Sequence, residues 1–351
     1  MTAAPALLSL ATAVPPHVLP QEQAAEAARR LFAGRYREFD RLSAVFATTG
    51  IRTRRSVMPI EWFFEPRGWP ERTRAYLDGA EALFVEAAGK ALASAGLEAD
   101  QIDTVVTVSS TGIATPSLEA RVLGRLGLRS DVRRVPVFGL GCAGGVTGLS
   151  LAARLARADP GSRVLFVTIE LCTLSFRLDK LTKANVVATA LFGDGAAACV
   201  LSTEGEGLAR VDGYGEHTWP DTLDIMGWKV DPEGFGVIFA QSIPPFAEAN
   251  LGPAVEATLA RMGLAMADVG RFVCHPGGTK VVAALEHALH LDQGSLDHER
   301  SVLADYGNMS APTVLFVLDR VIAAGDLPER AVMTSLGPGF TASCLSLAKA
   351  A

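Results

Sequence analysis

Apolar runs of strand length alternate along this chain with longer Ala- and Leu-rich stretches, and that alternation predicts an α/β fold in which helices cover sheets. The β-branched run from Val132 to Phe138 reads as a strand. Val146 to Ala158, with Arg154 and Arg157 among its Ala and Leu residues, reads as the helix that follows. Val314 to Ala323 reads as another helix, and Ala6 to Val14 as a first core strand that Pro15 and Pro16 cut short. With no basic residue ahead of it, that N-terminal run is not read as a signal peptide. No apolar run reaches membrane-spanning length, so stable membrane insertion is not expected.

The pattern recurs within the chain. Leu92 to Leu97 leads through Asp100 and Ile102 into a strand from Thr104 to Ser109. Leu259 to Leu264 leads through Asp268 and Val269 into a strand from Phe272 to His275, an offset of 167 residues. Leu191-Phe192-Gly193-Asp194-Gly195 and Ser335-Leu336-Gly337-Pro338-Gly339 match at an offset of 144, which implies that the second copy lacks about twenty residues. Two related α/β units are expected, residues 1–205 and 206–351, with a site where they meet. At 351 residues, 49% apolar and 20% charged, the chain is long enough to bury such a core.

A net charge of −6 argues against a surface that tracks nucleic-acid phosphates, so any contact with an anionic ligand must be a local basic patch. Cysteines at 142, 172, 199, 274 and 344 are odd in number and widely spaced, which suits reduced thiols in a cytoplasmic protein. With no CxxC and no paired His/Cys spacing, no metal site is expected.

Cys142 lies in Gly139-Leu140-Gly141-Cys142-Ala143-Gly144-Gly145, on a tight turn between a strand and a helix N-terminus, where unpaired N–H groups and the helix dipole favour a thiolate. Alone it reads equally well as a buried structural thiol. His275 closes an apolar strand before Pro276-Gly277-Gly278, and Asn308 stands in the turn Gly307-Asn308-Met309-Ser310-Ala311-Pro312. Each alone is an ordinary structural residue. A Cys, a His and an Asn, each at an element end beside glycines, are together a candidate catalytic set.

These words, with Leu191-Phe192-Gly193-Asp194-Gly195-Ala196 and Gly337-Pro338-Gly339-Phe340-Thr341, resemble the type III polyketide synthases, the chalcone synthase-like family of the thiolase superfamily. The resemblance covers nearly the whole chain. It implies a thiolase-like fold of two duplicated α/β halves in five αβαβα layers. It further implies a homodimeric acyltransferase that takes acyl-CoA and malonyl-CoA as substrates, uses no other cofactor and has no obligatory acyl carrier protein. Cys142 would carry the acyl group. His275 would pair with its thiolate, and Asn308 would donate to the malonyl thioester carbonyl as carbon dioxide leaves. Phe192 would disfavour the malonyl carboxylate.

The resemblance also assigns cavity residues: Ser110, Thr115, Cys172, Ser175, Trp228 and Val237, with Gly337, Pro338, Gly339 and Phe340 from the C-terminal loop. Thr115 falls where plant relatives reach across the dimer with Met, and Val237 near a gatekeeper Phe. Both changes remove bulk, while Trp228 falls close to where plant enzymes keep a small residue. The segment from Pro59 to Arg72 looks like bacterial members that turn fatty-acyl starters into alkylpyrones or alkylresorcinols. Arg41 matches the family's CoA patch, but Ala44 and Thr48 replace two of its cations, so Arg52, Arg54, Arg55 and Lys280 are candidates to compensate. Cys199 and Cys344 read as inert core thiols, and Cys274 as pointing away from His275. The rival readings are a ketosynthase III-like enzyme that takes malonyl from acyl carrier protein and a non-catalytic acyl-CoA-binding partner subunit.

Overall fold

The computed structural model describes residues 3–350. The first half runs β1 (Ala6–Ala13), β2 (His17–Pro20), α1 (Gln21–Phe32), α2 (Phe39–Leu42), α3 (Val45–Thr48), β3 (Thr53–Ser56), α4 (Trp69–Ala95), β4 (Thr104–Val108), α5 (Leu118–Leu126), β5 (Arg133–Val137), α6 (Gly144–Ala158), β6 (Val164–Leu171), α7 (Lys183–Leu191) and β7 (Asp194–Ser202). The second runs β8 (Ala209–Thr218), β9 (Met226–Asp231), β10 (Gly234–Phe239), α8 (Ile243–Arg261), β11 (Arg271–Cys274), α9 (Thr279–Ala288), α10 (Asp297–Tyr306), α11 (Thr313–Ala323), β12 (Arg330–Gly337) and β13 (Thr341–Lys349).

The main sheet has the order β11-β12-β13-β8-β1-β7-β6-β4-β5. β4, β6 and β7 are buried at every position, which is why they read as unbroken apolar or small-residue runs rather than alternating ones. Both faces are covered. α4 packs on β1, β6 and β7 on one outer side, and α8 on β8 and β13 on the other. α6 and α11 lie between the two sheet halves, in a core that takes Val106, Val146, Leu315 and Met333 from both units. The layers are therefore αβαβα, the thiolase-like arrangement. Among the described residues no helix is long and apolar enough to cross a membrane.

The strand order is symmetric about β1 and β8, and the register is duplicated with it. Thr104 pairs with Val164 and Arg271 with Ala331, each displaced by 167 residues. Val164 pairs with Leu201 and Ala331 with Leu347, which sets β13 at an offset of 146 from β7. Even the irregularity recurs: Leu8 is skipped between β1 and β7, and Asp212 between β8 and β13. The offset of 144 suggested by the two Gly-X-Gly words is thus two residues out. Gly193-Asp194-Gly195 opens β7, whereas Gly337-Pro338-Gly339 is the turn that closes β12 onto β13. The shortfall in the second copy lies there. Residues 338–340 join β12 to β13, where 172–193, including α7, join β6 to β7.

Candidate active site

Cys142 sits in a single 3-10 turn, Gly141–Ala143, that runs directly into α6. The turn is held from beneath. Ser110 Oγ accepts from the N–H groups of Gly139 and Gly141, each at 3.2 Å. The Ser110 N–H donates to both oxygens of Glu170, at 3.1 and 3.0 Å, and Thr111 Oγ1 donates to Glu170 at 2.8 Å. Glu170 is buried on β6, and loss of solvent pushes its carboxyl up to about 8 against the pull of those donors.

His275 follows the last residue of β11, and its N–H still donates to Thr334 O at 2.9 Å, so the sheet fixes where the ring starts. The ring is 4% exposed, and neither nitrogen has a protein partner among the described residues. Asn308 has its amide orientation set on both sides: Nδ2 donates to Gly277 O at 3.2 Å, and Oδ1 accepts from the Ser310 N–H at 2.8 Å. Its backbone is tied to Phe192 by a short parallel bridge, with Asn308 N–H donating to Leu191 O at 2.8 Å and Gly193 N–H to Asn308 O at 3.0 Å.

Cys142, His275 and Asn308 line one cavity of about 410 Å³, with Met226 and Phe239 on its apolar side. Burial pushes the Cys142 thiol up to about 11, with hydrogen bonds to Ser310 and Asn308 pulling the other way. Burial lowers His275 to about 4. Loss of solvent thus opposes the charged thiolate–imidazolium pair expected from the sequence, while the hydrogen bonds from Ser310 and Asn308 favour the thiolate.

A second cavity of about 440 Å³ shares Cys142 and is lined by Ser110, Cys172, Phe192, Trp228, Val237 and Pro338. Its wall is the β9–β10 hairpin, in which Val237 and Trp228 are cross-strand partners. Trp228 Nε1 donates to Ser110 O at 2.8 Å, and its ring meets Phe192 edge-on at 6.2 Å. Cys172 and Phe192 also bound a third cavity, of about 550 Å³, that runs away from Cys142 toward α1. Ala24, Ala28, Leu31, Phe63, Phe176 and Ala188 make it almost wholly apolar, and Ser175 lines it as well. Apart from Phe63, which lies in the Pro59–Arg72 segment, none of these six was singled out in the sequence. The spacing of Ala24, Ala28 and Leu31 along α1 was the available signal.

Other assignments move. Phe340 is fully buried against Trp219 and Phe246 in the core under α8, so it lines no part of the cavity, and Gly339 contributes only a carbonyl that accepts from Thr222 Oγ1 at 3.2 Å. Gly337 packs under the nucleophile turn instead of facing substrate. Thr115 does not move with them: it is exposed on its own loop, and its expected place was the cavity of a second subunit. A wider opening, about 1530 Å³, shares Phe239, Ile243, Gly277 and Val281 with the His275 cavity and is flanked by Arg41, Lys183 and Lys280. Arg54 and Arg55 are not there. Arg52 pairs with Asp305 at 2.5 Å, Arg55 is half-buried on β3, and Arg54 is buried beneath Phe192.

The description chalcone and stilbene synthases, N-terminal domain, matches residues 2–205, and the corresponding C-terminal domain matches residues 215–350. The chain belongs to this family, the type III polyketide synthases. The 1,3,6,8-tetrahydroxynaphthalene synthase of Streptomyces peucetius subsp. caesius is similar to it, 39% identical over 343 residues, 96% of this chain and 91% of its own. A protein named putative chalcone synthase from Bacillus subtilis (strain 168) is 34% identical over 354 residues, 97% of each. The crystal structure of 1,3,6,8-tetrahydroxynaphthalene synthase from Streptomyces coelicolor A3(2) superposes with a TM-score of 0.93 at 30% identity, over 99% of both chains. The synthase is thus an acyltransferase of the condensing type that uses malonyl-CoA. These relatives do not single out the alkylpyrone and alkylresorcinol branch.

Proposed function

We propose that the synthase extends a long-chain acyl-CoA starter with malonyl-CoA and releases products of the alkylpyrone or alkylresorcinol type. One observation carries this reading: the apolar cavity of about 550 Å³ that shares Cys172 and Phe192 with the reaction chamber. An aliphatic tail placed there is removed from water, worth about 0.8 kcal/mol per buried methylene, while its thioester stays at Cys142. CoA itself is held at the mouth by Arg41, Lys183 and Lys280.

In the first step Cys142 attacks the starter thioester. The neutral imidazole of His275 is the form able to take the thiol proton, and it returns that proton to the sulfur of CoA, which leaves as a thiol while the acyl group becomes bonded to Cys142. In the second, malonyl-CoA loses carbon dioxide, and the electron pair of the broken C–C bond passes into the thioester as an enolate. Asn308 and His275 donate to the enolate oxygen, the role in which a single lost donor costs about 10² to 10³ in rate. Phe192 presents an apolar ring to the departing carboxylate and favours its neutral product. The enolate carbon then attacks the acyl carbon, and the Cys142 sulfur is expelled.

A second reading, in which the product is tetrahydroxynaphthalene, is favoured by the names of the similar Streptomyces proteins. Mass spectrometry of products from malonyl-CoA alone and with acetyl-, octanoyl- and palmitoyl-CoA separates the two. The expected outcome is an octanoyl- or palmitoyl-derived product whose mass retains the whole starter. A tetrahydroxynaphthalene mass from malonyl-CoA alone, with no incorporation of any long starter, would overturn the proposal.

A further inference from the structure

Arg54 is the largest buried charged side chain near the reaction chamber, 2% exposed, and no step above uses it. Its Nη1 donates to two carbonyls at once, Thr189 O at 2.6 Å and Phe192 O at 2.9 Å. The first is in the last turn of α7 and the second follows the helix end, where unpaired carbonyls and the negative end of the dipole favour a cation. Burial lowers the guanidinium to about 10, with Asp194 as the opposing charge, so it remains ionised at neutral pH.

The same strand reaches the Asn308 side. Arg52 N–H donates to Ala304 O at 2.7 Å and Thr53 Oγ1 donates to Asp305 O at 2.8 Å, both on α10, the helix that ends two residues before Asn308. Between the two attachments the aliphatic stem of Arg54 fills the space left by Gly307. A Cβ on Gly307 would lie 2.7 Å from Arg54 Cγ and 2.7 Å from Leu191 O. β3 therefore touches α7 through one residue and α10 through its neighbours, and the Phe192–Asn308 bridge is the place where those two segments meet.

We propose that Arg54 is a positioning residue that sets the Phe192 ring against the Asn308 amide for decarboxylation of the malonyl extender. The inference rests on the roles given above to Phe192 and Asn308. Loading of Cys142 by acetyl-CoA, whose acyl group is too short to enter the apolar cavity that Arg54 and Phe192 line, needs neither, so Arg54 acts on one half-reaction and not the other. Both contacts come from the single Nη1, so lysine at this position keeps the charge but on a shorter stem without the rigid planar group, and methionine leaves both carbonyls without their donor.

The test measures the two half-reactions separately on the full chain: acylation of Cys142 by acetyl-CoA, read by intact-protein mass, and carbon dioxide release from malonyl-CoA. In Arg54→Met the decarboxylation kcat is expected to fall about 100-fold, and in Arg54→Lys about tenfold, as for a misplacement of about 1 Å. KM for malonyl-CoA and the acylation rate should stay within about twofold. If Arg54→Met does not fold, Arg54→Lys and Arg54→Gln decide by the same ratio. Equal loss in both half-reactions, or loss in neither, overturns the proposal. Asn308→Ala in parallel keeps the two ideas apart: wild-type decarboxylation in that variant sinks the assigned roles, whereas its loss beside an unselective Arg54 variant sinks only the role of Arg54.

Discussion

The C-terminal ends of β6 and β12 occupy equivalent places in the duplicated register, and they do opposite things for the same cysteine. At the offset of 167, Glu170 corresponds to Gly337 and Cys172 to Gly339. The first half places a buried carboxyl there, which holds Ser110 and Thr111 and through them the N–H of Gly141. The second half places no side chain at all, because a Cβ on Gly337 would lie 2.5 Å from Ala143 Cβ and 2.7 Å from Leu140 O. One end supports the nucleophile turn by hydrogen bonds and the other by close backbone approach. Beyond these ends the halves diverge further: the longer connection of the first half builds the apolar cavity, and the three-residue turn of the second leaves no room for one.

The strongest way to break the comparison is Gly337→Ala. The added methyl cannot be accommodated without moving the 3-10 turn that carries Cys142, so product formation is expected to fall by about 100-fold or more, with a stability loss of about 1–3 kcal/mol from overpacking. Turnover with malonyl-CoA and a urea titration measure the two. Turnover within threefold of the parent would show that the second-half turn does not set the nucleophile.

A gentler substitution tests the first-half connection. Ala28→Leu adds three carbons to the α1 wall of the apolar cavity, where Ala28 is 1% exposed. Palmitoyl-CoA should lose about tenfold or more in kcat/KM, the scale on which apolar pockets discriminate length, while acetyl-CoA stays within about twofold. A uniform loss across starters would mean that the cavity does not receive the chain.

The contrast between the two ends was only partly legible in the sequence. The alternation of apolar runs gave the α/β layers, because strands covered on both faces must be apolar throughout and need no long-range information to be recognised. Cys142, His275 and Asn308 stood out because each ends an element beside glycines, a local signal. The apolar cavity was expected only through the resemblance, with Cys172 and Ser175 on its wall, and its α1 side was not visible, since α1, the 60–64 turn and α7 meet only through tertiary packing. Arg54 was read as a surface cation beside Arg52 and Arg55. The period of two along β3 sends Arg54 and Ser56 inward together, and nothing in Thr53-Arg54-Arg55-Ser56 says which face is buried. The two-residue slip in the duplication has a similar origin: two Gly-X-Gly words look alike although one begins a strand and the other is a turn.

The remaining expected effect is one of stability alone, concerns Glu170 itself and sharpens why its counterpart is a glycine. With its carboxyl pushed up to about 8 in the folded protein, against about 4.3 in an unfolded chain, the native state keeps a proton between those values that the unfolded state has released. The unfolded state therefore binds fewer protons across this window, and Glu170 makes stability fall as pH rises. Its contribution is greatest below the unfolded value and is lost progressively up to about pH 8. Glu170→Gln retains an oxygen to accept from the Ser110 N–H and removes the titration. Between pH 5 and pH 7 the variant should gain about 2–3 kcal/mol relative to the parent, the product of two pH units and about 1.4 kcal/mol per unit. Asp194 and Glu299 are also raised by burial, to about 6 and about 7, and slope the same way in both proteins, so they cancel in the difference. Urea midpoints measured across that range read it directly. A parent and variant with parallel pH profiles would mean that Glu170 is already ionised in the fold, and that the nucleophile turn rests on a carboxylate whose charge the Ser110 and Thr111 donors fully answer.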